Sequence, residues 1–474
     1  MKSTFVFVGI LVTLLSARAA SASGPDQPNI LFVIADDCTF RDLGCYGGQA
    51  HTPNIDGLAG QGMLFERCFQ AAPMCSPTRH NIYTGLYPVR SGAYPNHTFA
   101  KRGTQSVVQY LRPLGYRVAL SGKTHISPRE VFPFEYLNKG KNPDMKAIDV
   151  FMEECKQANT PFCLFACSNE PHTPWDKGDP TRYPPSEVKL PSYIADTQTV
   201  REEFSRYLAE ITYYDDQVGQ LLELLEKHDV ADDTLVIVVS EQGNSLPFAK
   251  WTCYGNGLQS AMLVRWPGTV QPGSRSNALV EYVDLLPTFV EAAGGTPHTR
   301  LEGKSLLGLL KDNSQHHKDH VFGLMTTRGI NDGSDVFAIR TVRGERYRLI
   351  WNIHHQQTFE NACTTSKAFR SMVAAAKAGD QSAEAIVQRY MHRPEYELYD
   401  CVADPLELKN LYGQADLEDT ANELKRELLT WMEDQGDQGH ETERRALLRQ
   451  TRHQGKTLED AENAWGKRNR KGRK

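Results

Sequence analysis

The chain has 474 residues, 40% of them hydrophobic and 23% charged, which is the balance of a folded globular protein and excludes a disordered or fibrous one. Its formal net charge of −5 excludes nucleic acid as the main partner, because counterion release needs a broad basic surface. The length accommodates one large α/β domain and a smaller one.

In chain order, Lys2, the apolar run Phe5–Leu15 and the small residues Ala17, Ala19, Ala20 and Ala22 read as a secretory signal over 1–22. The protein is therefore expected to be exported: periplasmic, secreted or lumenal. No later run is expected to span a membrane. Residues 23–320 read as the catalytic domain. The apolar runs Ile30–Ala35, Arg117–Leu120, Phe162–Ala166, Leu235–Val239 and Met262–Val264 predict buried parallel strands. Asn54–Gln61, Thr104–Leu111 and Val200–His228 predict helices between them. This alternation predicts a large, mostly parallel sheet with helices on both faces. From 321 to 440 the pattern changes to a smaller α+β domain with an antiparallel sheet. Val336–Val342 and Tyr347–Ile353 form its hairpin, Glu397–Asp400 a further strand and Ala415–Met432 an amphipathic helix, with a helical insertion over Asn361–His392. Residues 441–474 are polar and end in a basic run, Lys467, Arg468, Arg470, Lys471, Arg473 and Lys474, which predicts a flexible tail. Of the ten cysteines some would pair in an oxidising compartment, with connectivity left open.

Reactive residues follow four of the predicted strands: Asp36 and Asp37, then Lys123 and His125, then Glu170 and His172, then Glu241 and Gln242, with Lys250 shortly after. In open α/β sheets ligands gather at the carboxyl ends of strands, so four such coincidences point to one site. Adjacent carboxylates at Asp36 and Asp37 repel unless a cation or protons offset them. With Glu241 and the Gln242 carbonyl they make an all-oxygen set, which suits calcium or magnesium rather than zinc. Between the first two strands lies Cys75-Ser76-Pro77-Thr78-Arg79, matching C-x-P-x-R, the pattern read by enzymes that oxidise cysteine to formylglycine.

With this motif in place the chain resembles the sulfatase family of the alkaline phosphatase superfamily. The likeness extends through P-N-I-L-F-V-I-A-D-D (28–37), L-G-C-Y-G (43–47), T-P-N-I-D-G-L-A (52–59), T-G-L-Y-P (84–88), S-G-K-T-H (121–125) and E-P-H-T-P-W (170–175). Within the family, G-K-T-H-I-S-P-R-E-V-F-P-F-E-Y (122–136) and R-P-E-Y-E-L-Y-D (393–400) resemble the heparan N-sulfatase (sulfamidase) group.

The resemblance implies an alkaline phosphatase-like fold, matured by a formylglycine-generating enzyme and acting on a sulfated carbohydrate. It implies that Cys75, as the hydrated aldehyde, attacks sulfur in line and forms a covalent sulfated intermediate. Asp36, Asp37, Cys75, Glu241 and Gln242 would hold the ion, calcium before magnesium. Arg79 would hold the nucleophile and metal cluster, Lys123 and Lys250 would clamp the sulfate, His125 would contact the second hydroxyl and His172 would protonate the leaving atom. Arg328, His354 and His355 are candidates for sugar contacts. One departure is Glu241-Gln242-Gly243 where the family carries Asp followed by Asn or His, then Gly: each side chain is one methylene longer. That departure keeps open a catalytically silent glycan-binding protein, beside a formylglycine-dependent phosphodiesterase or phosphonate hydrolase.

Overall fold

The computed structural model describes residues 27–472; the signal read over 1–22, the last two residues and the side chains of the basic run lie outside the described residues. Eight strands form the main sheet: β1 (Asn29–Ile34), β2 (Met63–Phe65), β3 (Arg117–Gly122), β4 (Glu135–Tyr136), β5 (Phe162–Cys167), β6 (Thr234–Val239), β7 (Met262–Arg265) and β8 (Ser274–Ser276). Their order is β8-β2-β7-β6-β1-β5-β3-β4. β1 pairs in parallel with β5 and β6, β3 with β5 and β4, and β8 with β2. The apolar runs are long enough to be buried on both faces, which is what parallel strands under helices require.

Met262–Val264, expected to be parallel, instead runs antiparallel to both β6 and β2. A parallel neighbour needs a crossover that carries the chain back along one face. The segment 240–261 makes none: it loops at the carboxyl end of β6, with one short helix at Gly255–Leu258, and returns directly.

Alternate residues of β1 serve two cores. Leu31 and Val33 pack with α1 (Pro53–Gln61), α3 (Met145–Gln157) and α4 (Gln198–Lys227). Ile30, Phe32 and Ile34 pack with Ile82 and Tyr83 of α2 (Cys75–Thr84) and with the helix Leu285–Ala292. Helices therefore cover both faces. The helix expected over Thr104–Leu111 is confined to Val107–Leu111, where Ser106 and Gln109 close a capping box.

A second sheet of four antiparallel strands follows in chain order: β9 (Val321–Thr326), β10 (Ala338–Arg343), β11 (Tyr347–Asn352) and β12 (Tyr396–Asp400). The helix Glu418–Gln435 lays Leu424, Leu428 and Trp431 on it. Helices Lys367–Lys377 and Gln381–Met391 fill the expected insertion and add Phe369, Met372 and Tyr390 to the α4 side of the main core. All ten cysteines are free thiols. Among the described residues no helix is long and apolar enough to cross a membrane.

The tail expected to be flexible is packed through Trp465. Residues 440–445 form a helix, and Leu447, Ala461 and Trp465 make a small core. Few apolar residues suffice because the segment docks by hydrogen bonds to backbone atoms: Arg449 Nε donates to Gly92 O (2.7 Å), Thr98 Oγ1 donates to Arg449 O (2.8 Å) and Thr451 N donates to His97 O (3.0 Å). This segment buries Glu443 completely, and burial pushes its carboxyl from 4.5 up to about 7, with Thr326, Arg340 and Arg328 opposing. The folded protein thus holds this proton more tightly than the unfolded chain. Glu443 costs nothing below pH about 4.5 and destabilises increasingly as pH rises toward 7. Glu443→Gln is therefore expected to stabilise the protein at pH 8, by at most about 3 kcal/mol, and to have no effect at pH 4. Chemical denaturation of both proteins at the two pH values checks this.

Candidate active site

The carboxyl ends of β1, β3, β5 and β6 meet the amino end of α2, so residues far apart in sequence converge. Two glycines let them approach. Gly122 has φ +96° and lies where a Cβ would run into Cys167 O; Lys123 follows it and donates its N–H to the same carbonyl at 2.9 Å. Gly243 packs against Asn256 O and Ala249, placing the loop that carries Glu241 and Gln242. Five non-glycine residues with left-handed backbone lie in this region: Asp37 (φ 63°), His97 (φ 56°), His125 (φ 50°), Phe248 (φ 63°) and Trp251 (φ 71°). Such conformations persist only where the surroundings over-determine them.

Asp36, Asp37, Cys75, Arg79, Glu241, Gln242 and Lys250 are all buried. The Lys123 ammonium contacts Asp36 Oδ2. Asp37 Oδ2 receives Lys250 Nζ at 2.7 Å and Ser245 Oγ at 3.2 Å, and His172 Nε2 lies 3.6 Å from it. Gln242 Nε2 donates to Asp37 Oδ1 at 2.8 Å. Arg79 Nη2 donates to Glu241 Oε2 at 2.7 Å, and its Nη1 to Lys123 O at 3.2 Å. Glu241 thus meets Arg79 through one carboxylate oxygen, while its Oε1 remains without a hydrogen-bond partner. Ligand atoms of Asp36, Cys75 and His172 lie within 4.8 Å of one another.

Burial raises the Asp37 carboxyl, but Lys250 and His172 outweigh it and hold Asp37 below its usual value. Burial pushes the Cys75 thiol up to about 11, with Lys250 opposing and Glu241 and Asp37 adding to it. An unconverted thiol here is protonated at neutral pH and a poor nucleophile. Burial brings Lys123 down to about 7 against the pull of Glu241. Burial lowers Lys250, yet Asp37 holds it above the ordinary lysine value. His172 falls to about 4 through burial, with Asp37 opposing, so it is neutral in the free protein. Its Nδ1 lies 2.7 Å from Thr173 O, which puts the ring proton on Nδ1 and leaves the Nε2 lone pair facing Asp37.

His125 is drawn well below its normal range by burial and by Lys123. Its Nε2 meets His97 Nδ1 at 3.0 Å, and its buried Nδ1 has no hydrogen-bond partner. His97 was not among the sequence candidates. It sits in a loop without a motif, held by Thr98 N on Ser76 Oγ (3.3 Å) and by the C-terminal segment docked on residues 92–99. Ser76 was also missed; its Oγ donates to His125 O at 3.0 Å. Ser245 had a weak signal, being three residues beyond Gln242.

The three sugar-contact candidates lie in turns that follow strands β9 and β11, and among the described residues no hydrogen bond or ion pair joins them to Asp36, Asp37 or Cys75. His354 uses both ring nitrogens, on Ala338 N (3.2 Å) and His440 Nδ1 (3.1 Å). Arg328 Nε and His355 Nδ1 are buried without partners. Arg328 precedes Gly329, whose missing Cβ would stand 2.9 Å from Asn96 O, so this loop abuts the one that presents His97.

The sulfatase family model matches residues 28–295, and a model described as N-sulphoglucosamine sulphohydrolase, C-terminal, matches residues 243–364. An ulvan-active sulfatase of Formosa agariphila is 32% identical over 88% of this chain and 82% of its own. The human N-sulphoglucosamine sulphohydrolase is 26% identical over 85% of this chain and 89% of its own. A solved structure, in complex with its substrate D-glucosamine-2-N,6-O-disulfate, shares the fold at TM-score 0.66 and 18% identity, covering 87% of this chain and 99% of that one. Carboxylates, lysines and a helix-terminal cysteine gathered at one sheet edge thus sit in a chain whose likeness runs along most of its length, and the chain belongs to the sulfatase family, whose members hydrolyse sulfuric esters or sulfamates.

Proposed function

We propose that this protein is an exported sulfatase that removes sulfate, as ester or sulfamate, from a sulfated polysaccharide or its oligosaccharides. In this reading a formylglycine-generating enzyme converts Cys75, whose hydrated aldehyde supplies the nucleophile, and a calcium ion completes the site. The observation that carries it is the set of buried oxygens around Cys75. Glu241 Oε1 and Gln242 Oε1 accept no hydrogen bond, beside the Asp36 and Asp37 carboxylates. Orphaned buried oxygens of this kind are costly unless a cation meets them. The donors are oxygens on arms of unequal length, which fits calcium's irregular coordination better than the strict octahedron of magnesium. Such an ion would acidify the attacking hydroxyl and draw charge from a sulfate oxygen.

The chain's own residues do the rest. Lys123 and Lys250 trade their carboxylate partners for the sulfate and fix it as point charges. Arg79 anchors Glu241 and, through Lys123 O, the loop behind it. His172 gains a second proton, at Nε2, once an anionic substrate raises its proton affinity, and passes it to the leaving atom. The substrate class follows from the relatives, which act on ulvan and on N-sulphoglucosamine.

Exhaustive chelation is expected to lower turnover of a sulfated oligosaccharide by about 100-fold or more and to lower the melting temperature, since a bound ion stabilises only the folded state. Calcium should restore both and zinc neither. The same assays with aryl sulfate and aryl phosphodiester decide the reaction: dominant phosphodiester turnover overturns the proposal.

A further inference from the structure

Away from the catalytic cluster, a cleft of about 420 Å³ opens between the main domain and the second sheet, lined in part by Arg41, Arg67 and Arg343. Its charges do not balance. Arg67 is paired with Glu345, Nη1 to Oε2 at 2.6 Å and Nη2 to Oε1 at 3.1 Å. Arg348, which stands opposite Arg343 in the β10–β11 register, takes Glu407 at 2.7 Å. Among the described residues no carboxylate lies within 4.0 Å of Arg343 or Arg41. Arg343 is 5% exposed with its Nε buried and unpartnered, and it shares the Phe69 ring with Arg348, each 5.6 Å from the centroid. Arg41 donates only to neutral oxygens, Asn256 Oδ1 at 3.3 Å and Pro405 O at 2.8 Å, while neighbouring Asp42 accepts from the Tyr207 hydroxyl at 3.0 Å.

Three guanidinium groups therefore line the cleft beside two carboxylates, Glu345 and Glu407, and Glu407 is already engaged by Arg348 buried behind them. Like charges directly across a strand pair destabilise it, and a buried arginine without a counter-ion is costlier still. Burial accordingly holds both Arg41 and Arg343 below the usual guanidinium range. The fork of donors on an arginine suits a tetrahedral oxyanion.

We propose that this cleft is a second anion site, which takes one sulfate group, free or carried on carbohydrate, between Arg41 and Arg343. The choice of sulfate rests on the function proposed above; the charge excess does not. A sulfated chain held there is tethered to the enzyme independently of the group being hydrolysed, which raises its effective concentration at the catalytic cluster.

Equilibrium dialysis of the full chain against radiolabelled inorganic sulfate, at ionic strength held constant with chloride, tests this. The expected stoichiometry is two sulfates per chain. Lys250→Gln should remove the catalytic one, and Arg343→Gln should weaken the other about tenfold or more. Arg41→Gln, at a less buried position, should do the same and serves if Arg343→Gln does not fold. The proposal is overturned if Lys250→Gln abolishes all binding, or if the Arg343 and Arg41 variants both keep two sites. In the Lys250→Gln protein, displacement of label by a size-defined ulvan oligosaccharide assigns the cleft to carbohydrate sulfate; retention of label assigns it to free sulfate. Turnover does not enter the readout, so a protein that fails to hydrolyse sulfate would remove the proposed function and leave the cleft standing.

Discussion

Replacing Cys75 with alanine is expected to lower kcat by about 10⁴-fold or more while leaving substrate affinity within a few-fold of the unaltered protein. The split follows from the site. Cys75 opens α2, while Lys123 and Lys250 are held by Asp36 and Asp37 and do not depend on its side chain, so an alanine there loses the nucleophile and keeps the clamp. The buried thiol is no substitute, because it stays protonated at neutral pH. Two hosts, one with a formylglycine-generating enzyme and one without, should therefore give proteins of the same fold and very different activity. Peptide mass spectrometry across Cys75 should find the aldehyde, or its hydrate, in the active preparation and the thiol in the other. Full activity from a preparation that is thiol throughout would refute the proposed nucleophile.

Arg79→Ala is expected to cost about 3–5 kcal/mol of stability as well as activity. Arg79 and Glu241 are both fully buried, and among the described residues no second cation lies within 4.0 Å of Glu241. Burial lowers the guanidinium and raises the carboxyl; their mutual attraction keeps Arg79 charged. In the chelator-treated protein, removing one partner strands the other's charge, whereas replacing both with methionine fills similar volume and leaves no charge behind. The double variant should therefore recover most of the lost stability and none of the activity. Guanidinium denaturation of the two single variants and the pair measures this. An Arg79→Ala protein within about 1 kcal/mol of the unaltered one would show that the pair is not the strut it looks to be.

The amino-acid order alone determined the chemistry-bearing edge of this protein. Ile30–Ala35 or Leu235–Val239 can satisfy its apolar residues only as a strand buried on both faces, so the polar residues just beyond such runs have to emerge at one sheet edge. Asp36, Asp37, Lys123, His172, Glu241 and Gln242 were legible for that reason, and Cys75 through its motif. The tertiary structure decided what local pattern does not encode. Met262–Val264 is as apolar as a parallel strand, and its direction was set by the absence of a crossover helix. His97 has no motif, and its loop beside His125 is held in part by Arg449 and Thr451, more than 350 residues later, through hydrogen bonds to backbone atoms. Apolar periodicity does not register such docking, so residues 441–465 read as a loose tail. The arginine-lined cleft is likewise a property of juxtaposition: Arg41 and Arg343 are ordinary surface residues in sequence, and become an unbalanced pair of charges only where the second sheet closes on the first.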